Sequence, residues 1–144
     1  MSSRIVCMVR GGEAGRQVQR QAIAYAQKTG LPLVFLHIIN LRGLAQEEVL
    51  DLAPALEELT WLARVTLSLA RRRAHAAGLQ ADTAIRIGPF LDATVAFLKE
   101  GPVDHLFLGS PSLGISPIEG NTQRVREFAE QISKATGVPV MVVD

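Results

Sequence analysis

Residues 103–122 read VDHLFLGSPSLGISPIEGNT, an apolar run followed by a stretch rich in glycine, serine and proline. The apolar run predicts a buried β-strand that ends near Gly109, and the pattern QRVREFAEQISKAT predicts a helix over residues 123–136. A glycine-rich turn between a strand and a helix is a common way for α/β proteins to hold a phosphate. Residues 109–122 are therefore either a working phosphate-binding loop or one that has lost that role.

The rest of the chain shows the same alternation of strand and helix. Strands are predicted at residues 4–9, 31–39, 80–87, 103–109 and 138–143, and helical patterns lie between consecutive strands. The order βαβαβαβαβ predicts one α/β domain over residues 1–144, a three-layer doubly wound sheet of five parallel strands with right-handed crossovers. The third strand, QADTAIRI, alternates polar and apolar residues, which favours an edge position.

The longest helical pattern covers residues 46–77 and places Leu59, Leu62, Val65 and Leu69 on one side. Pro54 predicts that the first part, QEEVLDLA, is a separate turn or short helix. The aromatic side chains fit core-facing positions better than a stacking platform; they are Trp61, Phe35, Phe90, Phe97, Phe107 and Phe128.

Composition excludes several classes of function. The 144 residues include 15 basic and 14 acidic side chains, so the net charge of +1 gives no reason to expect a nucleic acid partner. The cluster Arg71-Arg72-Arg73 is interpreted as a solvated helix end. No apolar run reaches 18 residues and the N-terminus has no signal-peptide pattern, so we expect a cytoplasmic protein without a membrane span. The single cysteine, Cys7, lies in a strand pattern and is expected to be an inert core thiol.

No catalytic motif is present. The chain has no P-loop, no GxSxG turn and no paired cysteines, and His37, His75 and His105 have no second ligand at metal spacing. A response-regulator receiver would need acidic residues after the first strand, where this chain reads MVRGG. We therefore expect neither an enzyme nor a metal site.

Ligands of doubly wound sheets bind beyond the carboxyl ends of the strands, where the winding direction reverses. The loops after the first and fourth strands are thus the candidate site. The first loop contributes Arg10, Gly11 and Gly12, and Ile38 lies near the end of the second strand. The second loop contributes Gly109, Ser110, Ser112, Gly114, Gly120, Asn121 and Thr122.

Four features of the chain together resemble the universal stress protein superfamily. They are Gly11 after the first strand, Leu36 and His37 in the second, and residues 139–143, PVMVV, at the end. The resemblance implies a flavodoxin-like strand order 3-2-1-4-5, as in the adenine nucleotide alpha hydrolase-like folds, and a homodimer through residues 139–143. An uncovered apolar terminal strand independently favours such pairing.

Members of that family divide into those that bind ATP and those that do not. The binders resemble Gly-x2-Gly-x9-Gly-Ser/Thr after the fourth strand and carry an Asp at the end of the first. Here Gly109 matches, but Ser112 and Thr122 stand where glycines are expected, and Gly120-Asn121 comes two residues early. Arg10 stands at the Asp position and Gly12 at a Ser position.

These departures oppose ATP binding, because a missing charge-assisted hydrogen bond costs about 1.5–3 kcal/mol. A non-glycine residue at positive φ adds about 1–2 kcal/mol, and the sum corresponds to a hundredfold or more in affinity. Residues 116–119, SPIE, also match a capping box, which predicts a helical turn where binders keep a loop.

The sequence thus predicts a regulatory or ligand-sensing module with weak or no ATP binding and no required cofactor. The alternative is a member that binds ATP, AMP or another small anion at an altered site, with slow ATP hydrolysis in one version. Arg10 supports the alternative, because its guanidinium and the N–H groups of Gly11 and Gly12 would suit an anion.

Overall fold

A computed structural model of the chain describes residues 3–9, 14–40, 52–109 and 119–143. Five strands and four helices alternate along these residues. They are β1 (Arg4–Met8), α1 (Ala14–Thr29), β2 (Leu33–Ile39), α2 (Leu52–Ala76), β3 (Ala81–Ile87), α3 (Phe90–Leu98), β4 (Val103–Gly109), α4 (Glu119–Thr136) and β5 (Val140–Val143).

All strand pairings are parallel, and the order across the sheet is β3-β2-β1-β4-β5. This confirms the predicted doubly wound sheet and its 3-2-1-4-5 order. The prediction that the third strand lies at an edge is also confirmed. The chain moves outward from β1 to β3, then crosses back to β4, so the winding direction reverses between β1 and β4.

Alternate residues of the central strand face two separate hydrophobic layers. Ile5 and Cys7 pack with α1 and α2 on one face of the sheet. Val6 and Met8 pack with α3 and α4 on the other. Because both faces are covered, β1 and β2 are apolar at nearly every position, as buried parallel strands require.

The start of α2 differs from the prediction at Pro54. Leu52 and Ala53 belong to the same helix as the residues after Pro54, so a break at this proline is wrong. Proline is tolerated there because N–H groups in the first turn have no intrahelical acceptor. The earlier part of the predicted segment, residues 46–51, lies outside the described residues.

The aromatic residues follow the prediction except at one position. Phe35, Phe97 and Phe107 are buried, and Phe90 packs on Phe128 with ring centroids 4.7 Å apart. Trp61 does not face the core: 64% of its surface is exposed. The prediction for Trp61 is wrong because α2 turns a different side to the sheet, the side formed by Ala63, Leu67, Ala70 and Ala74.

Candidate ligand-binding edge of the sheet

The carboxyl ends of β1 and β4 lie side by side. Their register pairs Cys7 with Phe107, so Val9 and Gly109, each two residues further on, reach the same edge of the sheet. Val9 is buried and its N–H donates to the Leu36 carbonyl oxygen at 2.8 Å. This edge is the switch point at which doubly wound proteins bind ligands.

His37 holds the end of β1 against β2. Its Nδ1 lies 2.8 Å from the Val9 carbonyl oxygen. A carbonyl oxygen only accepts, so Nδ1 carries the proton in this contact. The bond fixes the residue that immediately precedes Arg10, which gives His37 a positioning role at the mouth of the first loop. The sequence analysis used His37 for the family resemblance and excluded it as a metal ligand, but it did not identify this contact.

Gly109 brings helix α1 close to the end of β4. A Cβ at this position would lie 3.4 Å from Cγ1 of Val18, which is buried. Only one contact is tight, so a side chain would force Val18 to shift by a few tenths of an ångström. Gly109 therefore serves helix–strand packing.

Helix α4 begins at Glu119, four residues before the start that its apolar periodicity predicts. Gly120, Asn121 and Thr122 consequently have helical backbone in the first turn of α4. The capping box predicted at residues 116–119 stays a prediction, because residues 116–118 lie outside the described residues. The first four N–H groups of a helix lack intrahelical acceptors and are available to a capping side chain or to a bound anion.

The remaining predicted site residues divide into two groups. Ile38 is 8% exposed and belongs to the apolar layer under α3 and α4, so it offers packing and not a polar contact. The second group falls outside the described residues and stays a prediction: Arg10, Gly11, Gly12, Ser110, Ser112 and Gly114.

Other reactive groups lie away from this edge. Cys7 is fully buried, and burial raises the pKa of its thiol far above the ordinary value, so the predicted inert thiol fits its surroundings. Within the four described ranges, no group of three or more His, Cys, Asp or Glu side chains is placed to hold a metal ion. In the same ranges, no helix has the length and apolar character needed to cross a membrane.

A polar cluster occupies the opposite, amino edge of the sheet. Tyr25 donates its hydroxyl to Oδ2 of Asp104 at 2.7 Å, and Nδ1 of His105 lies 2.6 Å from the same oxygen. These hydrogen bonds hold the pKa of Asp104 below its usual range and raise the pKa of Tyr25. All three side chains have partners within the cluster, and the cluster links α1 to β4. The carboxyl edge of the sheet therefore stays the candidate ligand site.

The fold and this edge define a doubly wound α/β protein whose candidate ligand site lies at its switch point. The model of the universal stress protein family matches residues 1–144, so the chain belongs to that family. A search of curated proteins found no match.

Solved structures share the fold at low sequence identity. Universal stress protein UspA from Lactobacillus plantarum is 17% identical with a TM-score of 0.78, over 99% of this chain and 98% of that one. A universal stress protein from Archaeoglobus fulgidus in complex with dAMP is 19% identical, with a TM-score of 0.70 and coverage of 99% and 98%. A universal stress protein in complex with cAMP is 20% identical, with a TM-score of 0.71 and coverage of 99% and 97%.

Proposed function

We propose that the chain is a non-catalytic regulatory or ligand-sensing member of the universal stress protein family that acts in the cytoplasm as a homodimer and binds ATP weakly or not at all. One observation carries the proposal. Helix α4 starts at Glu119, so Gly120, Asn121 and Thr122 are helical. ATP-binding relatives are expected to close their loop with glycine and a hydroxyl residue in this part of the chain.

Two sequence positions support the same conclusion. Arg10 replaces the carboxylate that would accept hydrogen bonds from a nucleotide, and Ser112 replaces a glycine of the phosphate loop. The carboxylate loss costs about 1.5–3 kcal/mol in binding free energy, and a non-glycine residue forced to positive φ at position 112 would add about 1–2 kcal/mol. Together they lower affinity by a hundredfold or more.

The second candidate function is an altered nucleotide or small-anion site at the same edge. Arg10 supplies a permanent positive charge, and the N-terminus of α4 is a second feature that favours an anion. The relatives in complex with cAMP and dAMP support this candidate, because they share the fold of this chain. In this version the bound anion lies against Arg10 in place of a nucleotide held by an aspartate.

Thermal unfolding with millimolar ATP, ADP, AMP, cAMP or inorganic phosphate distinguishes the two functions. Saturating binding raises the free energy of unfolding by RT ln(1 + [L]/Kd) and so raises Tm. We expect a shift below about 1 °C with ATP, whereas a shift of several degrees would reject weak binding. Release of ADP from ATP, followed over hours, should not exceed that of buffer alone.

Substitutions at Arg10 separate the models further. If Arg10 holds an anion, both Arg10→Asp and Arg10→Ala should abolish any shift seen with phosphate or AMP. If the site is a nucleotide site that lost its acceptor, Arg10→Asp combined with Ser112→Gly should instead increase the shift with ATP. Arg20→Asp on the exposed side of α1 makes the same charge change and serves as the control.

The proposed homodimer forms through β5. This strand lies at one edge of the sheet, and Met141 is 44% exposed, whereas Val140 and Val142 pack against the core. Met141→Lys therefore places a charge on the edge without disturbing the interior. We expect the variant to elute as a smaller species than the unchanged protein, whereas Thr83→Lys, exposed on β3 at the other edge, should not change elution. Equal elution of Met141→Lys and the parent contradicts pairing through β5.

A further inference from the structure

Helix α2 carries two apolar faces on opposite sides. Its inner face packs on the sheet through small or buried side chains, of which Leu67 is 3% exposed. Its outer face exposes four large apolar side chains, Trp61 at 64%, Leu62 at 52%, Val65 at 41% and Leu69 at 46%. A surface helix of a monomeric domain needs only one apolar stripe. The outer face is thus an unexplained surface.

The direction of each side chain follows from helical geometry. At about 100° per residue, Leu67 points about 200° from Val65, whereas Trp61 and Leu69 each point within about 40° of it. The outer side chains therefore form one continuous strip along the helix, centred on Val65. Contiguous exposed apolar residues of this kind mark an interaction surface more often than scattered ones do.

The side chains of the strip are placed symmetrically about Val65 along the sequence. Trp61 and Leu69 lie four residues before and after it, and Glu58 and Arg72 lie seven residues before and after it. We name these five residues the α2 seam. Steps of three and four residues are the spacing of side chains that interlock between packed helices.

A second copy of α2 running antiparallel would match this arrangement. With the two-fold axis passing Val65, Trp61 of each copy lies level with Leu69 of the other, and Glu58 lies level with Arg72. Glu58 and Arg72 are both exposed, and neither pairs with an opposite charge among the residues that the structure describes. A parallel copy would instead place Glu58 against Glu58, which is unfavourable.

We propose that the α2 seam is a self-association surface on which two copies of the chain pack antiparallel across a two-fold axis at Val65. The two apolar pairs supply the contact, with the tryptophan as anchor, and the two Glu58–Arg72 pairs at the ends fix direction and register. A closed two-fold contact of this type uses the same residues on both copies.

The size of the seam sets how strong the association is. The fifteen residues from Glu58 to Arg72 span about 21 Å of helix. This is smaller than the contact area of obligate dimers, so we expect an equilibrium that depends on protein concentration. Helix α2 lies over β2 and β3, away from β5. The inference therefore does not depend on pairing through β5, and both contacts together would give a tetramer.

Sedimentation velocity of the full chain at concentrations from about 1 to 200 µM tests the proposal. This range is chosen because small interfaces have affinities on the order of micromolar. We expect the average mass to rise with concentration. Val65→Glu and Leu69→Glu should each raise the dissociation constant of this step at least tenfold and leave the thermal unfolding curve nearly unchanged, because both positions are exposed. Ile87→Glu introduces the same charge at a residue 54% exposed on β3 and should leave the association unchanged.

Charge reversal tests the direction of packing. Glu58→Arg and Arg72→Glu should each weaken association, because each brings like charges together across the axis. The double variant Glu58→Arg/Arg72→Glu should restore it to the parental level. Failure of the double variant to restore association overturns the antiparallel register.

Crosslinking tests the position of the axis. In the antiparallel arrangement, Val65→Cys should form an intermolecular disulfide with itself under mild oxidation. Ser68→Cys is the control, since its two copies would be separated by about 9 Å along the helix, beyond the reach of a disulfide. The buried native Cys7 should not react. The proposal is overturned if the average mass does not change with protein concentration and is the same for the parent protein, Val65→Glu and Leu69→Glu. The same result is expected if this face binds a different protein, so that outcome also overturns self-association.

Discussion

The inner and outer faces of α2 differ in side-chain size more than in polarity. The inner face uses three alanines and Leu67, all nearly inaccessible, while the outer face uses a tryptophan, two leucines and a valine that remain exposed. Small side chains allow the helix backbone to approach β2 and β3 closely, and large ones would hold it away. Apolar side chains at helical spacing identify the faces of a helix that could be buried. The size of those side chains, relative to the space above the sheet, decides which face is buried.

The largest expected effect is on the inner face. Leu67→Ala removes a buried side chain and leaves a cavity between α2 and the sheet, so the free energy of unfolding should fall by about 2–5 kcal/mol. Urea unfolding in dilute protein measures it. The matched control is Leu62→Ala on the outer face, for which we expect a change below about 1 kcal/mol, since half of Leu62 is already in solvent. Equal losses for the two variants would remove the distinction between the faces.

Enlarging the inner face should also destabilise the protein. Ala70 is fully buried, so Ala70→Leu forces α2 away from the sheet and should cost about 1–3 kcal/mol in the free energy of unfolding. Ala76→Leu, at an exposed position near the end of the same helix, adds the same atoms in solvent and should be nearly neutral. A stabilised Ala70→Leu variant would contradict close packing on this face.

A polar contact at the border of the inner face should make an intermediate contribution to the free energy of unfolding. Arg73 donates from its guanidinium to Oε1 of Gln19 at 2.6 Å, and Gln19 is only 2% exposed. Arg73→Met keeps the apolar stem but leaves a buried acceptor without this donor, so we expect a loss of about 1–2 kcal/mol in the free energy of unfolding. Arg71→Met, on an exposed arginine, should change it by less than about 0.5 kcal/mol. Similar results for both arginines would show that the contact to Gln19 adds no stability.

The smallest expected effect on stability is on the outer face. Leu69→Ala removes an exposed side chain and introduces a strong helix former, so dilute protein should keep its free energy of unfolding within about 0.5 kcal/mol. At high concentration the parent protein should gain stability from association and the variant should not. Chemical unfolding at two protein concentrations measures both quantities, and a large loss in dilute protein would place Leu69 in the core.

The elements that border the candidate site were predictable because they depend on local signals. The strand VDHLFLG was bounded correctly at Val103 and Gly109, and helix α4 was predicted from its apolar periodicity, although it begins at Glu119, four residues before the predicted Gln123. The contact between His37 and the Val9 carbonyl was not predictable, because it joins residues 28 positions apart whose distance depends on the pairing of β1 with β2. The tight approach of Val18 to Gly109 likewise depends on how α1 crosses the sheet.

The sequence alone determined the order of elements, the parallel sheet with its switch point between β1 and β4, and the altered residues at positions 10 and 112. The order of elements and the parallel sheet follow from hydrophobic periodicity, turn residues and the chirality of crossovers, all of which act over short stretches of chain. The strand order and the altered residues were implied by the resemblance to the universal stress protein superfamily. Only the tertiary structure decided which side of α2 is buried, because both sides are apolar at helical spacing. That choice was made by the shape of the sheet, which accepts Ala63, Ala70 and Ala74 and leaves Trp61 in solvent.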